Sequence, residues 1–234
     1  MAALVTAKKE LRRQIQRILK ELPPESISSQ SATATSTLLA LPEYRNAKKI
    51  SVFLSMPQGE ISTTGIVRDA LTRGKEVYVP YTHKANQASV MDMLRLYSMD
   101  DFESLKPDKW GIPSLSEESI ATRQNCFGGL GIAPTRQRSP EDAGLDLIVI
   151  PGVAFDTEMR RLGHGKGYYD HFLNRYNMEV AGTVRANSRP YLVALALKEQ
   201  LLLPPKEVPV GTHDHPVDAI IVGDGRLIRP EPRE

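Results

Sequence analysis

The stretch 145–176, LDLIVIPGVAFDTEMRRLGHGKGYYDHFLNRY, holds three patterns in succession. LDLIVIPG (145–152) is an apolar run without alternation that ends on proline and glycine, the mark of a strand covered on both faces. Gly163, Gly165 and Gly167 then alternate with His164 and Lys166, and a helical period follows from about 166 to 176. Strand, glycine-rich loop and helix make one βα unit. KKISVFLSM (48–56), STTGIVRDALTRG (62–74) and EVYVP (76–80) repeat the arrangement as strand, helix closing on Gly74, and strand. YLVALAL (191–197) and VDAIIV (217–222) are further apolar runs without alternation, while VMDMLRLY (90–97) alternates with period two. The expected fold is α/β: a three-layer, open, mostly parallel sheet of Rossmann-like type with helices on both faces.

Before this core, Leu11, Ile15, Ile18, Leu19 and Leu22 fall on one helix face, which Pro23 and Pro24 end while opening a second helix that runs to about Leu41. Residues 98–111 read as irregular around Trp110, the only tryptophan. Two polar stretches, about 114–143 and 177–189, offer little to bury and are expected to be surface insertions in a single domain spanning 1–234. A chain of 234 residues buries enough surface to need neither disulfide nor structural metal.

A net charge of +2 gives no global field for holding a duplex or a membrane, so neither nucleic acid nor membrane is an expected partner, and any anion site must be local. No apolar run approaches the roughly 18 residues of a membrane span. Cys126 has no second thiol to pair with, which predicts a reducing compartment, the cytoplasm. The basic start, with Lys8, Lys9, Arg12, Arg13, Arg17 and Lys20 against Glu10, admits a mitochondrial leader as the competing reading. His213 and His215 in THDHP lack a further ligand at metal-site spacing and read as a solvated loop.

In an open parallel sheet ligands settle beyond the carboxyl ends of the strands. Three loops are expected there: SMPQGE (55–60), PYT (80–82) and PGVAFDTEMRRLGHGKGYYD (151–170). The glycines of the last can turn backbone amides toward an anion without interference from side chains. The spacing is neither a P-loop nor a dinucleotide fingerprint, and alone it equally fits a flexible connection with a solvated lysine. Arg160, Arg161, His164 and Lys166 add charge suited to a polyphosphate.

RLGHGKGYYD (161–170) preceded by PGVAFD resembles the ATP loop of the 5-formyltetrahydrofolate cyclo-ligase (methenyltetrahydrofolate synthetase) family. KKELR (8–12), FLSM with Glu60, PYT and MDM, W-GIP (110–113), LALKEQ (195–200) and VDAII (217–221) follow in family order. The resemblance implies an ATP- and Mg²⁺-dependent ligase that closes 5-formyltetrahydrofolate to 5,10-methenyltetrahydrofolate through a phosphorylated formyl group. The implied ATP contacts are Lys8, Lys9, Arg12, Arg161, Leu162, Gly163, His164, Gly165, Lys166, Gly167, Tyr168 and Tyr169, with Lys166, His164 and Tyr168 in catalytic roles. It implies folate contacts from Leu54, Glu60, Trp110 and the segment from His164 through Tyr168. The implied Mg²⁺ ligands are Asp170 and Asp218. Its expected partners are ATP and 5-formyltetrahydrofolate with its polyglutamates, bound by a monomer. A sugar-phosphate isomerase or acyl-CoA transferase of similar architecture, or a non-catalytic RNA-associated relative, are the rival readings. On residues alone, Lys8 and Arg12 read as a solvated stripe that only the resemblance raises to a site, while the competing readings are core for Trp110, a helix-dipole contact for Asp170 and a surface residue for Asp218.

Overall fold

The structure, a computed structural model, describes residues 2–85, 88–132, 142–180 and 189–230. In chain order its elements are α1 (Ala2–Lys20), α2 (Pro24–Ala40), α3 (Pro42–Asn46), β1 (Lys49–Val52), α4 (Thr64–Thr72), β2 (Glu76–Ala85) and β3 (Ala88–Leu96). There follow α5 (Met99–Glu103), β4 (Lys106–Pro107), β5 (Pro113–Ser114), α6 (Glu117–Ile120), β6 (Leu147–Ile150), β7 (Ala154–Asp156), β8 (Arg161–Leu162) and α7 (Tyr168–Val180). The chain closes with β9 (Tyr191–Ala196), a 3-10 turn (Lys198–Gln200), β10 (Leu201–Leu202), β11 (Ala219–Val222) and β12 (Leu227–Ile228).

The apolar runs pair into a seven-stranded sheet of order β12-β11-β9-β6-β1-β2-β3. Its five inner strands are parallel, and the antiparallel strands β3 and β12 form the edges. Because side chains alternate across a sheet, each inner strand feeds two cores. Ile50, Val52, Leu147, Val149, Leu195 and Ile221 meet Ile15 and Leu19 of α1, Leu38 of α2 and Val67 of α4 on one face. Ile148, Ile150, Ala194, Ile220 and Val222 meet Phe172, Leu173 and Tyr176 of α7 on the other. That is the three-layer α/β fold the strand pattern predicts. Among the described residues no helix is long and apolar enough to cross a membrane.

Two features depart from the sequence reading. The segment after the β6 strand does not run straight into a loop: β7 and β8 form a hairpin whose turn holds Met159 at φ +63°, and β10 joins it as a third strand. Strands this short carry no readable period. The second departure lies in 114–143, where Leu115, Ile120, Cys126 and Phe127 are buried, contrary to the expected surface excursion. Polar groups there are satisfied internally, which hides the burial from composition. Arg123 grips both carboxylate oxygens of Asp101 at 2.7 Å, and the Asn125 side chain donates to the Gly131 carbonyl. Residues 133–141 of that stretch, and 181–188 of the other, lie outside the described residues; 177–180 form the last turn of α7.

Phe127 anchors the segment, with ring centroids 5.5 Å from Phe172 and 5.8 Å from Tyr176 and the Arg175 guanidinium 4.4 Å above its ring. Phe127→Ala is expected to cost about 3–5 kcal/mol of stability in denaturant unfolding, the penalty for a buried aromatic cavity. A loss below about 1 kcal/mol would mean that the segment only rests on the surface.

Candidate active site

Lys8, Arg12, Ile15 and Leu19 recur at helical spacing on one face of α1, and burial of Ile15 and Leu19 docks that face on the sheet. The same docking carries Lys8 and Arg12 to the glycine-rich loop. The Nε of Arg12 donates to the Gly163 carbonyl at 2.7 Å. Gly165, at φ +97°, leaves room for that guanidinium, since a Cβ would come within 3.4 Å of it in a conformation side chains avoid. Burial pushes Arg12 below its ordinary pKa while Asp214 pulls the other way, so this cation is partly desolvated and short of counter-charge. Lys9 lies on the exposed side of α1 and does not join the loop.

Asp214 is the residue the sequence reading passed over. Its carboxylate pairs with Lys8 at 2.5 Å and accepts the Gly211 amide. Burial alone would raise that carboxyl, but these two hydrogen bonds outweigh it and hold it below its ordinary value. The neighbouring His215 amide donates to Asp170 at 3.2 Å, and the His215 ring meets Asn174 at 2.9 Å, so THDHP folds against the start of α7. Asp170 in turn pairs with Arg161 at 2.8 Å. Arg161 is buried and stacks 5.8 Å from the Tyr169 ring; its Nε and the Tyr169 hydroxyl have no hydrogen-bond partner among the described residues. Burial raises the Tyr169 hydroxyl pKa against the pull of Arg161, and Glu60 raises it further.

Glu60 is buried in the loop after β1. Its Oε2 accepts the Met56 amide at 2.9 Å, while Oε1 lies 3.9 Å from Nε2 of His164, beyond hydrogen-bond reach, and keeps its acceptor capacity. A pocket of about 260 Å³ opens at Glu60, walled by Leu54, Thr63, Phe102, Gly111 and Pro113. Gly111, at φ +78°, lets the 108–113 turn press on Pro57, where a Cβ would come within 2.7 Å. Trp110 projects beside that turn at 65% exposure, so it is a rim residue and not core, and its amide is fixed by Asp108 at 2.7 Å.

Lys166 is exposed and has no carboxylate partner among the described residues. His164, Gly165 and Lys166 are exposed, Tyr168 is half-buried, and Leu162 is buried in the core, so Leu162 has only its backbone to offer a ligand. The structure does not bring Asp218 to Asp170. The Asp218 amide donates to the Leu192 carbonyl, and its carboxylate accepts the Leu192 amide and pairs with Arg189. Leu192 pairs with Ile148 near the amino end of β6, which puts Asp218 on the opposite sheet edge from the loop that follows β6. Among the described residues no group of three His, Cys, Asp or Glu side chains is spaced to hold a metal unaided. Asp170 and Asp214, both beside the cationic loop, fit a magnesium ion that takes its remaining ligands from phosphates and water.

Four cations, a run of unhindered amides and two carboxylates form one half of the site, suited to a polyphosphate with its cation. The other half is a pocket whose buried carboxylate suits a ring with adjacent N–H donors. The model of the 5-formyltetrahydrofolate cyclo-ligase family matches residues 5–223. The Mus musculus 5-formyltetrahydrofolate cyclo-ligase is 35% identical over 96% of this chain and 98% of its own. A probable 5-formyltetrahydrofolate cyclo-ligase of Schizosaccharomyces pombe is 33% identical over 95% and 97%. The solved 5,10-methenyltetrahydrofolate synthetase of Aquifex aeolicus superposes with TM-score 0.66 at 27% identity, covering 97% of this chain and 94% of that one. With its family model matched from residue 5 to residue 223, this chain belongs to the 5-formyltetrahydrofolate cyclo-ligase family.

Proposed function

We propose that this enzyme converts ATP and 5-formyltetrahydrofolate to 5,10-methenyltetrahydrofolate, ADP and phosphate through a phosphorylated formyl intermediate. The observation that carries the reading is the meeting of the Arg12-backed glycine loop with the Glu60 pocket, bridged where His164 approaches Glu60. Glu60 holds the pterin, its free oxygen and its amide-bonded one accepting two parallel N–H bonds. Leu54 packs on the ring and Trp110 closes the rim. Lys8, Arg12 and Arg161, with the amides of Gly163 to Gly167, hold the triphosphate, and Lys166 is free to follow the phosphoryl group in flight.

The formyl oxygen attacks the γ-phosphorus and ADP leaves. N10 then adds to the activated formyl carbon, loses its proton, and expels the former formyl oxygen as part of phosphate. His164 and Tyr168 flank Lys166 and order the formyl end of the folate for ring closure. Asp170 and Asp214 would hold Mg²⁺, which when bound neutralises phosphate charge. Every residue named comes from one chain, which suits a monomer, and the lone Cys126 suits a reducing compartment such as the cytoplasm.

Incubation with both substrates tests the reading: the methenyl chromophore is expected only when ATP and Mg²⁺ are present. Its formation without ATP, or its absence with everything supplied, would contradict the proposal. Asp214→Asn is expected to raise the Mg²⁺ concentration for half-maximal rate by about tenfold or more, as loss of a carboxylate near a hydrated cation does. Asp218→Asn should leave that requirement where it is. The reverse pattern would restore Asp218 to the metal site.

A further inference from the structure

Two carboxylates and two cations meet where α1 and the 207–217 segment close on the glycine-rich loop. Asp214 Oδ2 accepts the Lys8 ammonium at 2.5 Å and the Gly211 amide, while Asp170 Oδ1 accepts Arg161 at 2.8 Å and the His215 amide at 3.2 Å. Because His215 follows Asp214 in the chain, that last bond holds the two carboxylates at one corner of the site. The charge of Arg161 also acts on Asp214, so the four groups form one set, two positive against two negative. Among the described residues nothing donates to Oδ1 of Asp214 or to Oδ2 of Asp170.

The two cations differ in how firmly they are held. The Arg161 side chain is 4% exposed, comes from β8 and lies against the Tyr169 ring. The Lys8 side chain is 18% exposed, and Asp214 is the one partner of its ammonium among the described residues. That ammonium is a compact charge on a flexible stem. Arg12, one turn further along, keeps α1 docked through the Gly163 carbonyl, so Lys8 can leave Asp214 without moving the helix. A magnesium ion at Asp170 and Asp214 with Lys8 still in place would set a double charge beside two cations already there. It would also have to give up tightly held water to enter.

We propose that Lys8 is an internal substitute for the metal: its ammonium occupies Asp214 until a polyphosphate draws the lysine away, so that Mg²⁺ gains its second carboxylate only together with nucleotide. The inference rests on the reading of Asp170 and Asp214 as the magnesium ligands and adds to it that metal and nucleotide bind as a unit. A triphosphate offers the ammonium more negative charge than one carboxylate does, and the carboxylate it leaves is then free for a cation that also takes phosphate oxygens as ligands. Lys8 thus has two successive partners, and the coupling it creates is reciprocal: metal strengthens nucleotide binding by the factor by which nucleotide strengthens metal binding.

Mn²⁺, followed by the loss of the paramagnetic-resonance signal of the free ion, reports metal binding to the protein with neither nucleotide nor folate added. Lys8→Met, which keeps the length of the stem and removes the charge, is expected to bind Mn²⁺ about thirtyfold more tightly than wild type, the scale of one unit charge taken away a few ångströms from a dication near the surface. Lys8→Arg, which keeps the charge, should stay within about threefold of wild type. Lys8→Met combined with Asp214→Asn should lose the gain. Lys8→Gln repeats the first comparison should methionine disturb folding, which the unfolding midpoint reads. Binding to Lys8→Met and Lys8→Gln no tighter than to wild type, or an equal gain in Lys8→Arg, would overturn the inference; if Asp214→Asn still raises the Mg²⁺ requirement of the reaction, the ligand reading stands without it. A gain that survives Asp214→Asn would put the metal elsewhere and sink both.

Discussion

Lys166→Ala is expected to lower turnover about a thousandfold with little change in unfolding. Lys166 is exposed and carries no part of the core, so its loss leaves packing intact. Among the described residues its ammonium is the one cation at the loop not already engaged: Arg12 of α1 is held by the Gly163 carbonyl, Lys8 of α1 by Asp214 and Arg161 by Asp170. A positive group committed only to charge that develops in the transition state is worth roughly 4 kcal/mol, which is about three decades in rate. KM for folate should move far less than kcat. Single-turnover kinetics check this, and a variant within about tenfold of wild type would take the phosphoryl role away from Lys166.

Glu60→Gln should act on the other half of the site. Oε2 accepts the Met56 amide and Oε1 faces the pocket, so the amide must present its NH₂ either to a backbone donor or to the pterin. One like-facing pair of donors results, and a buried pair of that kind costs about 2–3 kcal/mol. Folate KM is therefore expected to rise about thirty- to a hundredfold, with ATP affinity within a few-fold of wild type in direct titration. Equal losses for both ligands would show that Glu60 only ties down the 55–60 loop.

How much of this is legible in the sequence follows from what each residue answers to. The strands 147–150, 191–196 and 219–222 are readable because burial on both faces removes alternation, and the α1–α2 boundary is readable because Pro23 and Pro24 permit little else. The placement of Lys8 and Arg12 is half readable: their spacing puts them on one face, and the apolar Ile15 and Leu19 on that same face say that it is turned inward. What the pattern does not say is which loop they meet. Residues 115–127 escape because their apolar anchors sit at irregular intervals among polar groups that bond within the protein, as Arg123 does to Ser119, Arg95 and Asp101. Asp214 and Asp218 are only four positions apart and differ in which edge of the sheet they occupy. Asp218 directly precedes β11, so the direction of that parallel strand already places it at the amino edge, away from the ligand side. Asp214 lies in a loop whose course no local rule predicts, and its pairing with Lys8 bridges the two ends of the chain. Trp110 stays open on sequence alone because a lone tryptophan serves core and rim alike; the Asp108-capped turn decides for the rim.

The central claim is that the loop around Lys166 directs a phosphoryl group onto the formyl oxygen. Among the residues lining the site none is a cysteine or serine paired with a histidine base, and Cys126 is buried on the α7 face of the sheet, so a covalent formyl-enzyme has no nucleophile here. The oxygen must then leave inside phosphate. Turned over once with heavy oxygen in its formyl group, 5-formyltetrahydrofolate is expected to deliver the label to inorganic phosphate in equal measure with the methenyl product. Label released to water instead would contradict phosphoryl transfer and remove the roles given to Lys166, Asp170 and Asp214 together.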